Sequence, residues 1–373
     1  METTEQVLAE KMTRIQTAVS LGKPDRIPVI PCATAFCAKH MGVKLSEFSL
    51  NVELGNEIIF KSFTSFGDID GVQQTFFYVP VLSSLWYNKV KLPGYQLPEG
   101  TLWQMDEAEM ITIDDYDTII DKGWNAWSTH FFRERMDNIL EEKILPALSY
   151  APTAAKKFLE NGIIPFSPAI FTIPLEMLCG GRTMVRFIKD MFKIPDKVQA
   201  VFDVMQQDNL ANVKAIASLP ADQKPPAAWV GGWRGASEFL SPKTWQRFVW
   251  PYYKQVVEAV VDGGMIAVLH LDSNWERDLE FFRQLPKGKC IFAPDGSTNI
   301  FKIKEVLGNH MCISGDVPAA MLSLGTPDDV YKYATKLINE IGPSGFIMAS
   351  GCDIPANAKP ENVKALISAC TGK

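Results

Sequence analysis

The chain has 373 residues, 47% of them hydrophobic and 21% charged, with a formal net charge of −6. That is enough apolar material for a large core, and the charge is too mild, with no Lys/Arg block, to track phosphates; disorder and nucleic-acid binding are excluded on those grounds. No apolar run reaches the length of a membrane span, and the acidic opening of residues 1–6 carries no signal-like stretch, so the expectation is a cytoplasmic protein with no membrane partner.

Residues 1–22 place Val7, Leu8, Met12, Ile15, Val19 and Leu21 on a helical period, with Gly22 as the cap. Lys23-Pro24-Asp25-Arg26 then turns the chain into a first strand, Ile27 to Pro31. A helical pattern over 51–66 leads to a second strand, Gly71 to Tyr78. Between about 81 and 125 the rhythm breaks: Trp86, Tyr87, Pro93-Gly94-Tyr95, Pro98-Glu99-Gly100 and Trp103 predict a β-rich insertion or lid, with too many turn residues for a helix. Further strands are expected at 162–166, 227–230, 265–272, 290–292, 311–314 and 346–349, separated mainly by helical patterns. Eight strands so spaced predict an α/β fold, a (β/α)8 TIM barrel forming one domain over 1–373 with the insertion inside it.

The fifth strand carries the strongest chemical signal. Side chains alternate along a strand, so Ile266, Val268, His270 and Asp272 face one side, and His270 and Asp272 fall at the C-terminal end, where barrels of this kind hold their active sites. The eighth repeats the design, with Cys352 in phase with Phe346, Met348 and Ser350. The two strand ends are expected to meet at one metal. Seven scattered cysteines form no disulfide framework, and most read as reduced core thiols. No GxGxxG after a strand, GxxxxGK[ST] or HExxH motif supports a nucleotide or metalloprotease reading.

Several spaced segments, in order, resemble the uroporphyrinogen decarboxylase superfamily: Arg14 with Leu21 to Val29, Leu240-Ser241-Pro242 with Pro251-Tyr252-Tyr253, Gly315 to Ala319 with Gly325-Thr326-Pro327, and Gly345 to Cys352 with Pro360-Glu361-Asn362-Val363. The resemblance covers nearly the whole chain and implies a (β/α)8 barrel. Within it, the true decarboxylases carry an arginine-rich segment after the first strand that grips a tetrapyrrole's carboxylates. Here Cys32 to His40 holds one lysine and no arginine. The chain is more similar to the corrinoid-dependent methyltransferase branch, typified by methylcobamide:coenzyme M methyltransferase, whose zinc is bound by His-x-Cys on one strand end and a distant Cys on the last. His270-Leu271-Asp272 and Cys352 stand at the matching places, with Asp272 in place of a cysteine.

The resemblance therefore implies Zn²⁺ held by His270, Cys352 and one carboxylate, Asp272 or Glu238 in the loop after the fourth strand. A carboxylate in place of a thiolate is a harder donor and favours an oxygen-bearing substrate over a thiol. The function so implied is a zinc-dependent O-demethylase component that moves a methyl group from a methoxylated, aromatic compound to the cob(I)amide of a separate corrinoid protein. His270, Asp272 and Glu238 are its candidate catalytic residues. Phe76, Tyr78, Trp86, Phe166, Phe171, Trp233, Arg234 and Asp316 are candidates for binding substrate or corrinoid; Arg182 and Arg234 could each pair with a substrate carboxylate or the corrinoid's polar edge, although a solvated surface role is the more ordinary reading of both. No Asp-x-His-x-x-Gly stretch is present, so cobalamin arrives with a partner or free. The alternatives are methyl transfer from a methylcorrinoid to a thiol or pterin, uroporphyrinogen decarboxylation, and a non-catalytic scaffold for a corrinoid protein. Helix-rich barrels often pair, which is in keeping with a homodimer.

Overall fold

The computed structural model describes residues 3–372. Among them, eight parallel strand positions follow one another around a closed barrel. The first is short: Val29 bridges Met348 of the last, while Gln73 N donates to Pro31 O (3.1 Å) on the other side. The second, Gly71–Val72, pairs with Ile164–Pro165; the third resumes as Ala169–Phe171 against the fourth, Ala227–Gly232. Pro165 and Pro168 have no N–H to give a ladder, which accounts for the break. Then come Ile266–Leu271, Cys290–Pro294, Cys312–Ser314 and Phe346–Ile347. Met348 N donates to Pro28 O (2.8 Å) and Ile30 N to Met348 O (3.1 Å), closing the ring.

The eight expected strands are all present. The second is shorter than its apolar run suggests, because residues 73–78 leave the sheet to line a cavity. The insertion is not β-rich. It holds one antiparallel pair, Val90–Lys91 with Gln104–Met105, and is otherwise helix and turn, including Leu82–Trp86 and Ile113–Lys122. The turn signals were real, but Tyr87, Trp124, Trp127, Phe131 and Phe132 stack into one cluster that packs the following helices against the insertion.

Alternation on the fifth strand holds: Val268 belongs to the apolar filling of the barrel with Ile30, Ile164, Ile291 and Ile347, whereas Ala267, Leu269 and Leu271 pack outward against helices. The first helix, Thr4–Val19, is opened by a capping box between Thr3 and Gln6. Residues 1 and 2 of the expected helix lie outside the described residues. The helix ends two residues earlier than expected, capped by Ser20, and Leu21, not Gly22, takes the left-handed conformation (φ 67°). Ile15, Ala18 and Val19 join the barrel filling and floor it from below.

Polar side chains fix this helix as well. Lys11 Nζ donates to Ile69 O (2.7 Å) and Gly162 O (2.9 Å). Arg14 pairs with Glu10, Asp25 and Asp70. Asp70 is fully buried and also accepts from Arg26 (2.7 Å) and from Val29 N (2.8 Å). No helix among the described residues is long and apolar enough to cross a membrane.

Candidate metal centre at the barrel mouth

The ligating atoms of His270, Asp272 and Cys352 all lie within 4.8 Å of one another. The fifth strand supplies the first two by simple alternation. Asp272 N donates to Gly232 O (2.9 Å), and Asp272 O accepts from the indole N–H of fully buried Trp275 (2.7 Å), so the strand end is pinned on both sides. Ser273 then turns away in the left-handed region (φ 70°), its N–H on Asp295 Oδ2 (2.9 Å).

Cys352 arrives differently. Phe346 and Met348 point outward into the helix layer and Ile347 inward, so strict alternation would have sent Cys352 outward. Regular pairing ends first: Ser350 bridges Val317, Gly351 N donates to Val317 O (3.1 Å), and the chain crosses the mouth. A Cβ on Gly351 would come within 2.6 Å of Asp295 O, so only glycine permits this crossing.

The three residues suit a metal. Asp272 Oδ1 lies 3.1 Å from His270 Nε2, at an angle that makes no hydrogen bond, and is buried without any hydrogen-bond partner. An orphaned carboxylate oxygen in such a place costs free energy unless a cation takes it up. Burial works against a charged His270, yet the neighbouring Asp272 and Cys352 outweigh it and push the imidazole up to about 10. A bound metal ion would take the place of the imidazole's proton, and imidazole, thiolate and carboxylate together are a donor set zinc accepts.

Glu238 is not part of this group. It is exposed, and its Oε1 accepts from Asn274 N (2.9 Å), which ties the loop after the fourth strand to that after the fifth. The buried carboxylate of this region is Glu176, in the helix Pro174–Arg182, which sequence reasoning passed over. Its oxygens accept from the backbone N–H groups of Trp233 (2.9 Å), Arg234 (2.9 Å) and Gly235 (2.8 Å). The signal for it was faint, a lone acid in an apolar helix.

Burial pushes the Glu176 carboxyl up to about 7 from an ordinary 4.5, against those N–H groups and the Arg234 charge. A carboxyl raised on folding stabilises the fold fully below its unfolded value and loses that contribution as pH climbs through the folded one. Between pH 4.5 and 7 the unfolding free energy should therefore fall by up to roughly 3 kcal/mol from this residue. Denaturant melts across that window should show a shallower slope in Glu176→Gln than in the unaltered protein.

Above the metal group lies a cavity of about 1770 Å³. Phe76, Tyr78, Trp86, Trp233 and Arg234 line it as expected. Phe166, Phe171 and Asp316 do not. Phe166 fills the barrel and Phe171 the helix layer, as large apolar side chains at strand positions usually do. Asp316 turns outward to accept from Tyr333 Oη (2.9 Å), and burial holds its carboxyl up at about 6. Arg182 is buried rather than solvated, paired with Asp190 and Glu109. Asn362 donates to Leu322 O (2.9 Å) and Gly325 O (3.1 Å), a purely structural task.

The wall beside His270 is made by Trp229, unremarked in the sequence although it shares strand phase with Trp233. Ring centroids step from His270 to Trp229 (5.3 Å), to Trp233 (6.0 Å) and to Trp86 (5.4 Å). Gly231 sits between the first two indoles, where a Cβ would meet their edges at 2.2 and 2.3 Å. Behind Cys352, Asp353 accepts from Thr34 Oγ1 (2.8 Å) and Cys32 Sγ (3.7 Å).

A profile of the family described as uroporphyrinogen decarboxylase (URO-D) matches residues 134–372. Among curated proteins, a uroporphyrinogen decarboxylase of Syntrophotalea carbinolica is 25% identical over 208 residues, 55% of this chain and 58% of that protein. A methylcobamide:CoM methyltransferase, MtbA, of Methanosarcina acetivorans is 24% identical over 182 residues, 48% of this chain and 50% of its own. The chain thus spans between half and three-fifths of the length of these relatives. A solved methyltransferase from Methanosarcina mazei superposes with a TM-score of 0.72 over 96% of this chain and 97% of its own, at 16% identity, a likeness of fold.

Proposed function

This chain belongs to the uroporphyrinogen decarboxylase family, and from that premise we propose that it is a zinc-dependent methyltransferase, passing the methyl group of a methoxylated aromatic compound to the cob(I)amide of a corrinoid protein. The observation that carries the reading is the meeting of His270, Asp272 and Cys352 around an orphaned carboxylate oxygen at the floor of an aromatic cavity.

His270, Asp272 and Cys352 would hold the zinc. Zinc so bound supplies Lewis acidity toward an ether oxygen, which makes a phenolate a better leaving group. The remaining tasks fall to the protein's own side chains. Trp229 and Trp233, tilted 33° to one another beside His270, would restrict how an aromatic ring lies in the cavity, replacing a search in solution by few orientations. Glu176 fixes the loop bearing Trp233, so that indole does not drift. In the overall reaction the C–O bond breaks, a Co–C bond forms, and the departing oxygen keeps the electron pair and takes a proton from solvent.

Decarboxylation of a many-fold anionic tetrapyrrole is the weaker reading, because Arg234 is the one arginine among the cavity residues and Cys32 to His40 supplies none. The test is a spectrophotometric assay with chemically reduced cob(I)alamin and a panel of methoxylated aromatics. Loss of the cob(I)alamin band with release of the phenol is expected. Inertness toward the whole panel, with methylcobalamin instead demethylated by an added thiol, would replace this reading by the second-component one.

A further inference from the structure

We propose that Arg234 and Trp233 form an anion-reading subsite, so that the aromatic compound bound in this cavity carries a carboxylate; this rests on the cavity being the substrate site proposed above. Two donors there are unspent. Arg234 Nη1 and Trp233 Nε1 are both buried and have no hydrogen-bond partner, and both residues line the cavity. The Arg234 side chain is only 26% exposed, and its ion pair is a loose one, 4.0 Å from Glu107, whose own side chain is 78% exposed. Glu176 lies close enough for its charge to be felt, but its oxygens are taken by three backbone N–H groups.

A guanidinium held this way is costly unless something accepts from it, and a carboxylate answers its fork of N–H groups better than any neutral acceptor. Position supports the same conclusion. Two ring contacts, of 5.3 and 6.0 Å, separate His270 from Trp233, and Arg234 follows it in the chain. An acid bound with its carboxylate at Arg234 would lie against Trp233, on the chain of rings that leads back through Trp229 to His270. Glu107, on the insertion, is the group such a carboxylate displaces.

The probes are 3-methoxybenzoate and methoxybenzene, titrated into the zinc-loaded protein and followed by quenching of tryptophan fluorescence. The acid should bind about 10- to 100-fold more tightly than the neutral ether. Arg234→Gln should abolish that preference while leaving methoxybenzene affinity and zinc content unchanged, and Arg234→Lys should restore part of it. Equal affinities in the unaltered protein, or a preference that survives Arg234→Gln, would overturn the subsite. Cob(I)alamin methylation from the same two ethers separates the two ideas. If neutral and acidic ethers react alike and Arg234→Gln changes nothing, the subsite fails and the methyltransferase stands; if the acid binds through Arg234 but neither ether reacts, the reverse holds.

Discussion

His270→Ala and Cys352→Ala should each strip the protein of metal. Elemental analysis of the unaltered chain is expected to give about one zinc per chain, and either variant well under a tenth of that, because three protein ligands are the fewest a catalytic zinc site ordinarily keeps. Asp272→Ala should behave the same way, since its Oδ1 makes no hydrogen bond that would give it another task. Glu238→Ala should keep its zinc, because Glu238 is occupied with Asn274 in the loop and is no part of the cluster. Methyl transfer in the three ligand variants should fall by about 10²- to 10³-fold or more, the factor that several kcal/mol of lost charge stabilisation implies. Zinc retained in both His270→Ala and Cys352→Ala would place the metal elsewhere and remove the basis of the mechanism.

The second large effect concerns stability. Asp70→Ala should lower the unfolding free energy by about 3–5 kcal/mol, read as a shift of the denaturant midpoint at constant slope. Asp70 is wholly buried between Arg14 and Arg26 and accepts the N–H of Val29, so its removal leaves two guanidinium groups and a strand amide short of an acceptor at once. Asp25 touches the same Arg14, but its side chain is 59% exposed. Asp25→Ala should therefore cost no more than about 1 kcal/mol, water replacing most of what is lost. Comparable losses in the two variants would mean that the buried position of Asp70 is not what makes it matter.

The barrel was legible because its signals are local. Apolar runs bounded by Gly and Pro mark strands, and helical periods between them mark crossovers. His270 and Asp272 were placed by alternation alone, which holds to the end of the fifth strand. Cys352 does come beside His270 and Asp272, but not by the phase that suggested it; a glycine crossing delivers it. Phe166 and Phe171 show the limit of composition, since an aromatic side chain at a strand end serves a core as readily as a ligand. Glu176 was invisible for another reason. Its partners are backbone amides nearly 60 residues away, and no pattern of side chains announces that kind of bond.

The stitching of the first helix bears on the order in which the chain can fold. Lys11 meets its acceptors at sequence separations of 58 and 151 residues, and Arg14 meets Asp70 at 56. Ribosomes make this helix long before Gly162, so it emerges with nothing to rest on. Contacts of such high order form late and slowly, because the intervening chain must first be closed into a loop. Until the third strand is made, Ile15, Ala18 and Val19 lie bare on a nascent amphipathic helix, surface that the cell must shield from its neighbours. The floor of the barrel is synthesised before its walls and installed after them.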